Sequence, residues 1–441
     1  MPVRLGVIAD DLTGANDTGV QFARQGARTI VPLDWHDLGA LGGRADVLVL
    51  STNSRGLPPG VAAQRAKVAA QALRKACVPA IYKKIDSTFR GNIGAELDAI
   101  LDVYPAPLVI IAPSFPPADR AVLDGTLTVG GIPVHRTAIG RDPVAPVRQS
   151  HLPTLLRGQI RRSIHHLPLD TLRARWPRAA RCIQAWCSSD GGLVVADAGT
   201  PNDLRRLARL ITEGGLLGVV AGSAGLAAAL SQTMPWRRQP TPRPTPAVHP
   251  VLLVVGSPNP TSLAQVAVVE DRGSTAVIQG GIRDVLAGPE RFRRELERVL
   301  GKTIAELRTG RDAMITLAQE SDGRRALARR GTAGRGKRPT ALSPSATATL
   351  SEFLGRWARD VARATRLGGL VLCGGDIAVA TCRALGADGI ILGGEMEAGV
   401  PWGRLVGGER PTLPVITKAG GFGTPDVFRA AIRFLRRRRT R

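Results

Sequence analysis

Apolar residues in this chain fall mainly in short unbroken runs rather than in strict alternation. Runs at 3–9, 47–50, 193–195, 219–220, 251–255, 370–372 and 415–417 each lead into a turn rich in Gly, Asp, Ser or Thr, and most of these turns open a helical pattern. Unbroken runs that feed crossover helices predict parallel strands buried on both faces. The predicted class is therefore α/β. In such sheets ligands sit where strands end and helices begin, so the chemistry is expected in these turns.

Polar and proline-rich segments divide the pattern. Residues 233–250 carry prolines that exclude helix and sheet interior. The predicted organisation is two α/β domains with mainly parallel sheets, 1–232 and 251–435, joined by a Pro-rich linker at 233–250 and followed by a basic tail at 436–441. Residues 321–345, rich in Arg, Gly and Ala, read as a surface loop. Residues 214–236 lack charge and could in length cross a bilayer. The Gly and Ser cluster at 222–225 instead reads as the turn of a buried strand-turn-helix, which outweighs a membrane span.

With 441 residues and 44% of them hydrophobic, the chain can bury a sizeable core in each domain. Its formal charge is +24, which ordinarily points to nucleic acid. Lysine, however, occurs at only seven positions and arginine supplies the rest of the 60 cations, scattered through every segment. That distribution reads as compositional bias, and aromatics at 4% leave few stacking platforms. Nucleic acid is therefore the trailing alternative; it predicts salt-sensitive DNA binding through the tail arginines 436–439. Five scattered cysteines without a Cys-x-x-Cys pair argue against a disulfide or zinc framework. The six histidines show no metal-ligand spacing, and the His165-His166 pair reads as surface. The first apolar run is too short for a signal-peptide core, so the expected location is cytoplasmic.

Three groups of residues carry the candidate chemistry. Asp10 and Asp11, followed by Thr13 and Gly14, end the first run. A single acid suffices to cap a helix, so the pair points beyond capping. Lys83, Lys84, Ile85, Asp86, Ser87, Thr88, Phe89 and Arg90 follow the run at 80–82. They offer cations for a carboxylate, with Asp and Ser for hydroxyls, as a small polyol acid requires. Arg55, after the run at 47–50, is a third strand-end contributor. Beyond the linker, Gly256-Ser257, Gly374-Gly375-Asp376, Gly393-Gly394-Glu395 and Lys418-Ala-Gly420-Gly421 suit close backbone approach to phosphates. None is a Walker A loop or a dinucleotide fingerprint.

These residues, with IADDLTGANDTG, KKIDSTFRGNIGAELDAI, APSFPPADR, RDPVAPV, AGSAGLA, VVGSPNPTSLAQ, CGGDIA, GVPWGRLVGG and ITKAGGFG, occur in an order that resembles the four-carbon acid sugar kinases over almost the whole chain. The resemblance implies ATP-dependent phosphorylation of the terminal hydroxyl of threonate, erythronate or a 3-oxo relative. It also implies an acid-sugar domain followed by an ATP domain, with the linker as hinge. Carried over residue by residue, the substrate positions are Asp10, Asp11, Arg55, Lys84, Ile85, Asp86 and Ser87, with Arg90 added. The nucleotide positions are Ser257, Gly374, Gly375, Asp376, Ile377, Gly420 and Gly421. On this reading Arg55 and Lys84 hold the substrate carboxylate, and Asp86 and Ser87 bind its hydroxyls. Asp10 or Asp11 accepts a proton, and Asp376 stands beside a Mg²⁺ that bridges the ATP phosphates. The family often has Thr or Ser where Ile377 stands, and Ala-Gly-Arg where this chain has Ala118-Asp119-Arg120. The missing hydroxyl at Ile377 is the ground for a second alternative, a non-catalytic sugar-acid-binding protein. The expected partners are an acid sugar and ATP, with no membrane. The sequence is compatible with a homo-oligomer.

Overall fold

The computed structural model describes residues 3–35, 38–142, 145–174, 176–189, 191–236, 248–318 and 343–436. Most of the predicted linker, the predicted Arg-rich loop and the tail beyond Arg436 lie outside them. The chain divides into two compact units, residues 1–241 and 242–441.

In the first unit the apolar runs become strands. β1 (Leu5–Ala9), β2 (Thr29–Pro32), β3 (Val47–Ser51), β4 (Ile81–Lys84) and β5 (Leu108–Ala112) precede a small antiparallel sheet. That sheet consists of β6 (Arg120–Leu123), β7 (Thr126–Val129) and β8 (Ile132–Pro133). β9 (Ile164–Leu167), β10 (Gly192–Ala196) and β11 (Val219–Gly222) complete the unit. The main sheet runs β2-β3-β1-β4-β11-β5-β10-β9, and its pairings are all parallel. Every residue of β1 is buried, as are Val47–Leu50 of β3, which explains why these strands are apolar without alternation. Each fully buried aliphatic side chain adds roughly 1.5–3 kcal/mol. The neutral segment 214–236 folds as β11, a turn and the helix Ala224–Thr233. No described helix is long and apolar enough to cross a membrane.

Strand order places the chemistry. β1 lies between β3 and β4, and the chain leaves it first toward β2 and β3 and later toward β4. This reversal opens a crevice at the carboxyl end of β1, where open α/β sheets hold their ligands.

The second unit repeats the device. β12 (Val251–Val255), β13 (Ala276–Gly281), β14 (Ala313–Ala318), β15 (Gly369–Cys373), β16 (Ala387–Glu397), β17 (Val400–Gly407) and β18 (Pro414–Lys418) run in the order β13-β14-β12-β15-β18-β17-β16. The first five strands in that order pair in parallel, whereas β17 pairs antiparallel with both β18 and β16. β12 is the reversal point, flanked by β14 and β15. Gly393-Gly394-Glu395, expected as a strand-end turn, instead lies inside β16. Gly393 is tucked under the Trp402 indole, and a register shift falls beside it. Its role there is packing, not phosphate binding.

Candidate functional site

Asp10 follows the last residue of β1 and is buried, while Asp11 caps the helix Leu12–Arg24, accepting a 2.6 Å hydrogen bond from the Gly14 N–H. A Cβ at Gly14 would stand 2.7 Å from both Asp11 Oδ1 and Lys84 Nζ, so the close approach of that ammonium requires glycine here. Arg55, just past β3, donates from Nε and Nη2 to the two oxygens of Asp10 at 2.7 and 2.9 Å, and its Nη1 lies 2.6 Å from Asp11. Asp86 Oδ1 lies 4.0 Å from the same guanidinium. Three adjacent strand ends, β3, β1 and β4, thus meet around one cation.

The loop after β4 adds a second layer. Asp86 receives a fork from Arg90 at 2.9 and 3.2 Å, plus the hydroxyl and N–H of Thr88. Arg90 also reaches Asp142 at 3.1 Å. Ser87 accepts from Arg120, and the buried Ile85 holds the loop to β11 through its N–H on the Gly222 carbonyl. Beneath lies a fully buried pair, Lys83 and Glu96 at 2.7 Å; Ser54 donates to Glu96, and Thr52 contacts Ser54. Burial pushes the Asp10 carboxyl up, but Arg55, with Lys83 and Lys84 behind it, holds it below its ordinary value. Asp86 is likewise held well below the ordinary range by Arg90, Arg55 and Lys84 against the effect of burial. A cavity of about 210 Å³ opens beside Arg55, lined among others by Phe89, Gly91, Asn92 and Val147. This volume is below the range of about 300–1,000 Å³ of drug-sized sites and suits a small ligand.

In the second unit the turns after β12, β15 and β18 carry the nucleotide candidates. A Cβ on Gly420 would stand 2.1 Å from Ser257 Oγ, so these two turns touch. Gly374 donates its N–H to the Lys418 carbonyl at 2.9 Å, joining the turn after β15 to the end of β18. Gly375 and Asp376 are exposed at the start of the helix Gly375–Ala384, where free N–H groups favour an anion. Gln265 lies on the helix Pro260–Arg272, and its amide nitrogen approaches the Phe422, Gly423 and Thr424 carbonyls at 2.9–3.1 Å, pinning the last turn.

The structure gathers Asp10, Asp11, Arg55, Lys84, Asp86 and Arg90 in one cluster and Ser257, Gly374 and Gly420 in another. Three expectations change. The Arg55 fork is occupied by Asp10 and Asp11 rather than open to a substrate carboxylate. Lys418, expected to meet ATP, is buried and donates to the Ala419 and Gly420 carbonyls, so its ammonium shapes the turn. Burial lowers its pKa. His166 is bound to buried Asp197 at 2.9 Å, and His165 stacks on Trp186, so the pair is not a free surface patch. Ile377 is buried against Gly256 and Gly374, where its side chain fills space between turns. Glu96, Arg120 and Gln265 lie in motifs quoted above but receive no role from the sequence, because their partners lie 33 or more residues away. No group of three or more His, Cys, Asp or Glu among the described residues could cage a metal ion.

Two family models match, one described as "Sugar-binding N-terminal domain" over residues 5–230 and one as "Nucleotide-binding C-terminal domain" over 252–428. The chain is 34% identical to a D-threonate kinase of Salmonella typhimurium, with 98% of each chain covered. It is 32% identical to a D-erythronate kinase of Heliobacterium modesticaldum, over 97% of this chain and 96% of the relative. A 3-oxo-tetronate kinase of Methylobacterium radiotolerans is 29% identical, over 98% and 99% respectively. Among solved structures, a Haemophilus influenzae protein superimposes with a TM-score of 0.76 at 23% identity, covering 97% of this chain and 98% of that one, a likeness of fold.

Proposed function

The chain belongs to the four-carbon acid sugar kinase family and is a kinase of acid sugars, and from that premise we propose that it transfers the γ-phosphoryl group of ATP to the 4-hydroxyl of a tetronate held in the first unit. The observation that carries the reading is the meeting of Asp10, Asp11, Arg55, Lys84 and Asp86 at the reversal point of a parallel sheet. Lys84 provides the cation at the mouth of helix Leu12–Arg24, and Asp86 and Ser87 bind hydroxyls. The hydroxyl oxygen attacks the γ-phosphorus, the bond to the leaving ADP oxygen breaks, and the hydroxyl proton passes to an aspartate. We assign that proton to Asp11, whose side chain is 25% exposed against 4% for Asp10 and which meets Arg55 through one nitrogen rather than the two that hold Asp10. A transition state of this kind asks mainly for alignment and positive charge, so a carboxylate suffices as the acceptor.

In the second unit the N–H groups of the turns at Ser257, Gly374, Gly375, Gly420 and Gly421 cradle the phosphates of ATP. Mg²⁺ usually keeps several waters and rides on nucleotide phosphates with one or two carboxylates, a demand that exposed Asp376 fits without a protein cage. When bound there it supplies charge to the phosphates.

The test is ADP release with D- and L-threonate, D- and L-erythronate and the 3-oxo acids. Turnover is expected with at least one of them, and Asp11→Asn lowers kcat by roughly 100-fold or more, within the range of general-base effects, while leaving the helix cap acceptor in place. No ADP release with any acid would overturn the assignment, and an Asp11→Asn enzyme with unchanged kcat would remove Asp11 from its role.

A further inference from the structure

Arg120 opens β6, away in sequence from every other member of the sugar cluster. Its backbone is fixed by pairing with Phe115, and Val122 two residues on is tied both to Ser114 and to Ala198, next to the ends of β5 and β10. The small antiparallel sheet thus carries a guanidinium onto the loop after β4, where Nη1 donates to the Ser87 hydroxyl. The other cations nearby are committed: Arg55 to Asp10 and Asp11, Arg90 to Asp86 and Asp142, Lys83 to Glu96. Arg120 has no carboxylate partner among the described residues, and its Nε is buried without an acceptor there. A buried donor left unpaired is unfavourable and calls for a partner. With Nη1 used by Ser87, the edge formed by Nε and Nη2 is the one that matches a carboxylate as a two-pronged fork.

We propose that Arg120 is a substrate-binding residue whose Nε–Nη2 edge receives the carboxylate of the acid sugar, the role that residue type alone would give to Arg55. The inference rests on the reading of the first unit as the acid-sugar site. It explains how a cluster rich in aspartates attracts an anion: Arg55 neutralises the aspartates, and Arg120 and Lys84 face the substrate. It also gives the small β6-β7-β8 sheet a purpose, which is to hold one guanidinium over the Ser87 hydroxyl.

The experiment compares wild type with Arg120→Lys, Arg120→Met and Arg120→Ala on the preferred tetronate. It also uses the neutral tetritol of the same stereochemistry as a competitive ligand, with calorimetric binding alongside kinetics. Loss of a charged fork is expected to raise the tetronate KM roughly 10- to 100-fold. Lys should restore part of the loss, and the inhibition constant of the tetritol and the KM for ATP should not move. Met preserves the packing of the stem and serves if Ala fails to fold. A tetronate KM within twofold of wild type, or equal weakening of acid and tetritol, overturns the proposal. If instead wild type itself releases no ADP with any tetronate, the kinase reading has failed, and the calorimetric comparison of acid with tetritol decides the role of Arg120 on its own.

Discussion

A single guanidinium, that of Arg55, dominates the protonation of Asp10. Burial alone would lift the Asp10 carboxyl above its ordinary 3.8, and Arg55 reverses the sign. A lowered folded-state pKa means that this carboxylate contributes stability in full above about pH 4 and loses it as the pH falls through the lowered value. In Arg55→Met the burial stays and the clamp goes, so the Asp10 pKa rises. The expected outcome is an acid limb of the kcat/KM profile displaced to higher pH. A stability loss of about 3 kcal/mol or more is expected at pH 7, as for a buried pair deprived of one partner. Urea unfolding across pH 4–8 together with the pH–rate profile checks both, and an unmoved acid limb would show that Asp10 does not govern activity.

At the level of elements, function depends on how tightly neighbouring turns pack. Gly420→Ala would drive a methyl to 2.1 Å from Ser257 Oγ and 3.0 Å from Asn259 Cβ, whereas at Gly421 the nearest atom is Asn259 Nδ2 at 3.5 Å, an ordinary contact. Overpacking of this kind costs about 1–3 kcal/mol. The KM for ATP should therefore rise roughly tenfold or more in Gly420→Ala, change far less in Gly421→Ala, and leave the tetronate KM unaltered in both; initial rates with each substrate varied in turn provide the check. The strands could be foreseen, because β1, β12 and β15 are unbroken apolar runs that end in small or acidic residues and β18 is one that ends at Lys418 before Ala419-Gly420-Gly421. The β16–β17 ribbon could not, since Gly393-Gly394 has the composition of a turn and becomes strand only because the Trp402 ring covers it. The same limit applies to the site. Asp10, Arg55 and Lys84 stand at the ends of foreseeable strands, whereas Arg120 and Glu96 acquire meaning only from partners brought near by the sheet order.

On the scale of the whole molecule, the charge of +24 acts on two substrates that are both anions. Many arginines are paired with acids, as in Arg173 with Asp203 and Arg363 with Glu409, yet the long-range field remains positive. Raising ionic strength from 50 to 500 mM should lower kcat/KM for tetronate and for ATP while kcat changes little, because screening weakens capture and not the chemical step. Salt-independent kcat/KM values would mean that the excess arginine is inert in catalysis. The division into residues 1–241 and 242–441 has a further result, since all the proposed sugar residues fall in the first segment and all the proposed nucleotide residues in the second. Preference among acid sugars can then drift through changes in one half of the coding sequence while the phosphoryl donor is inherited unchanged in the other. Related enzymes that differ in acceptor are accordingly expected to differ most in the segment that carries Arg120.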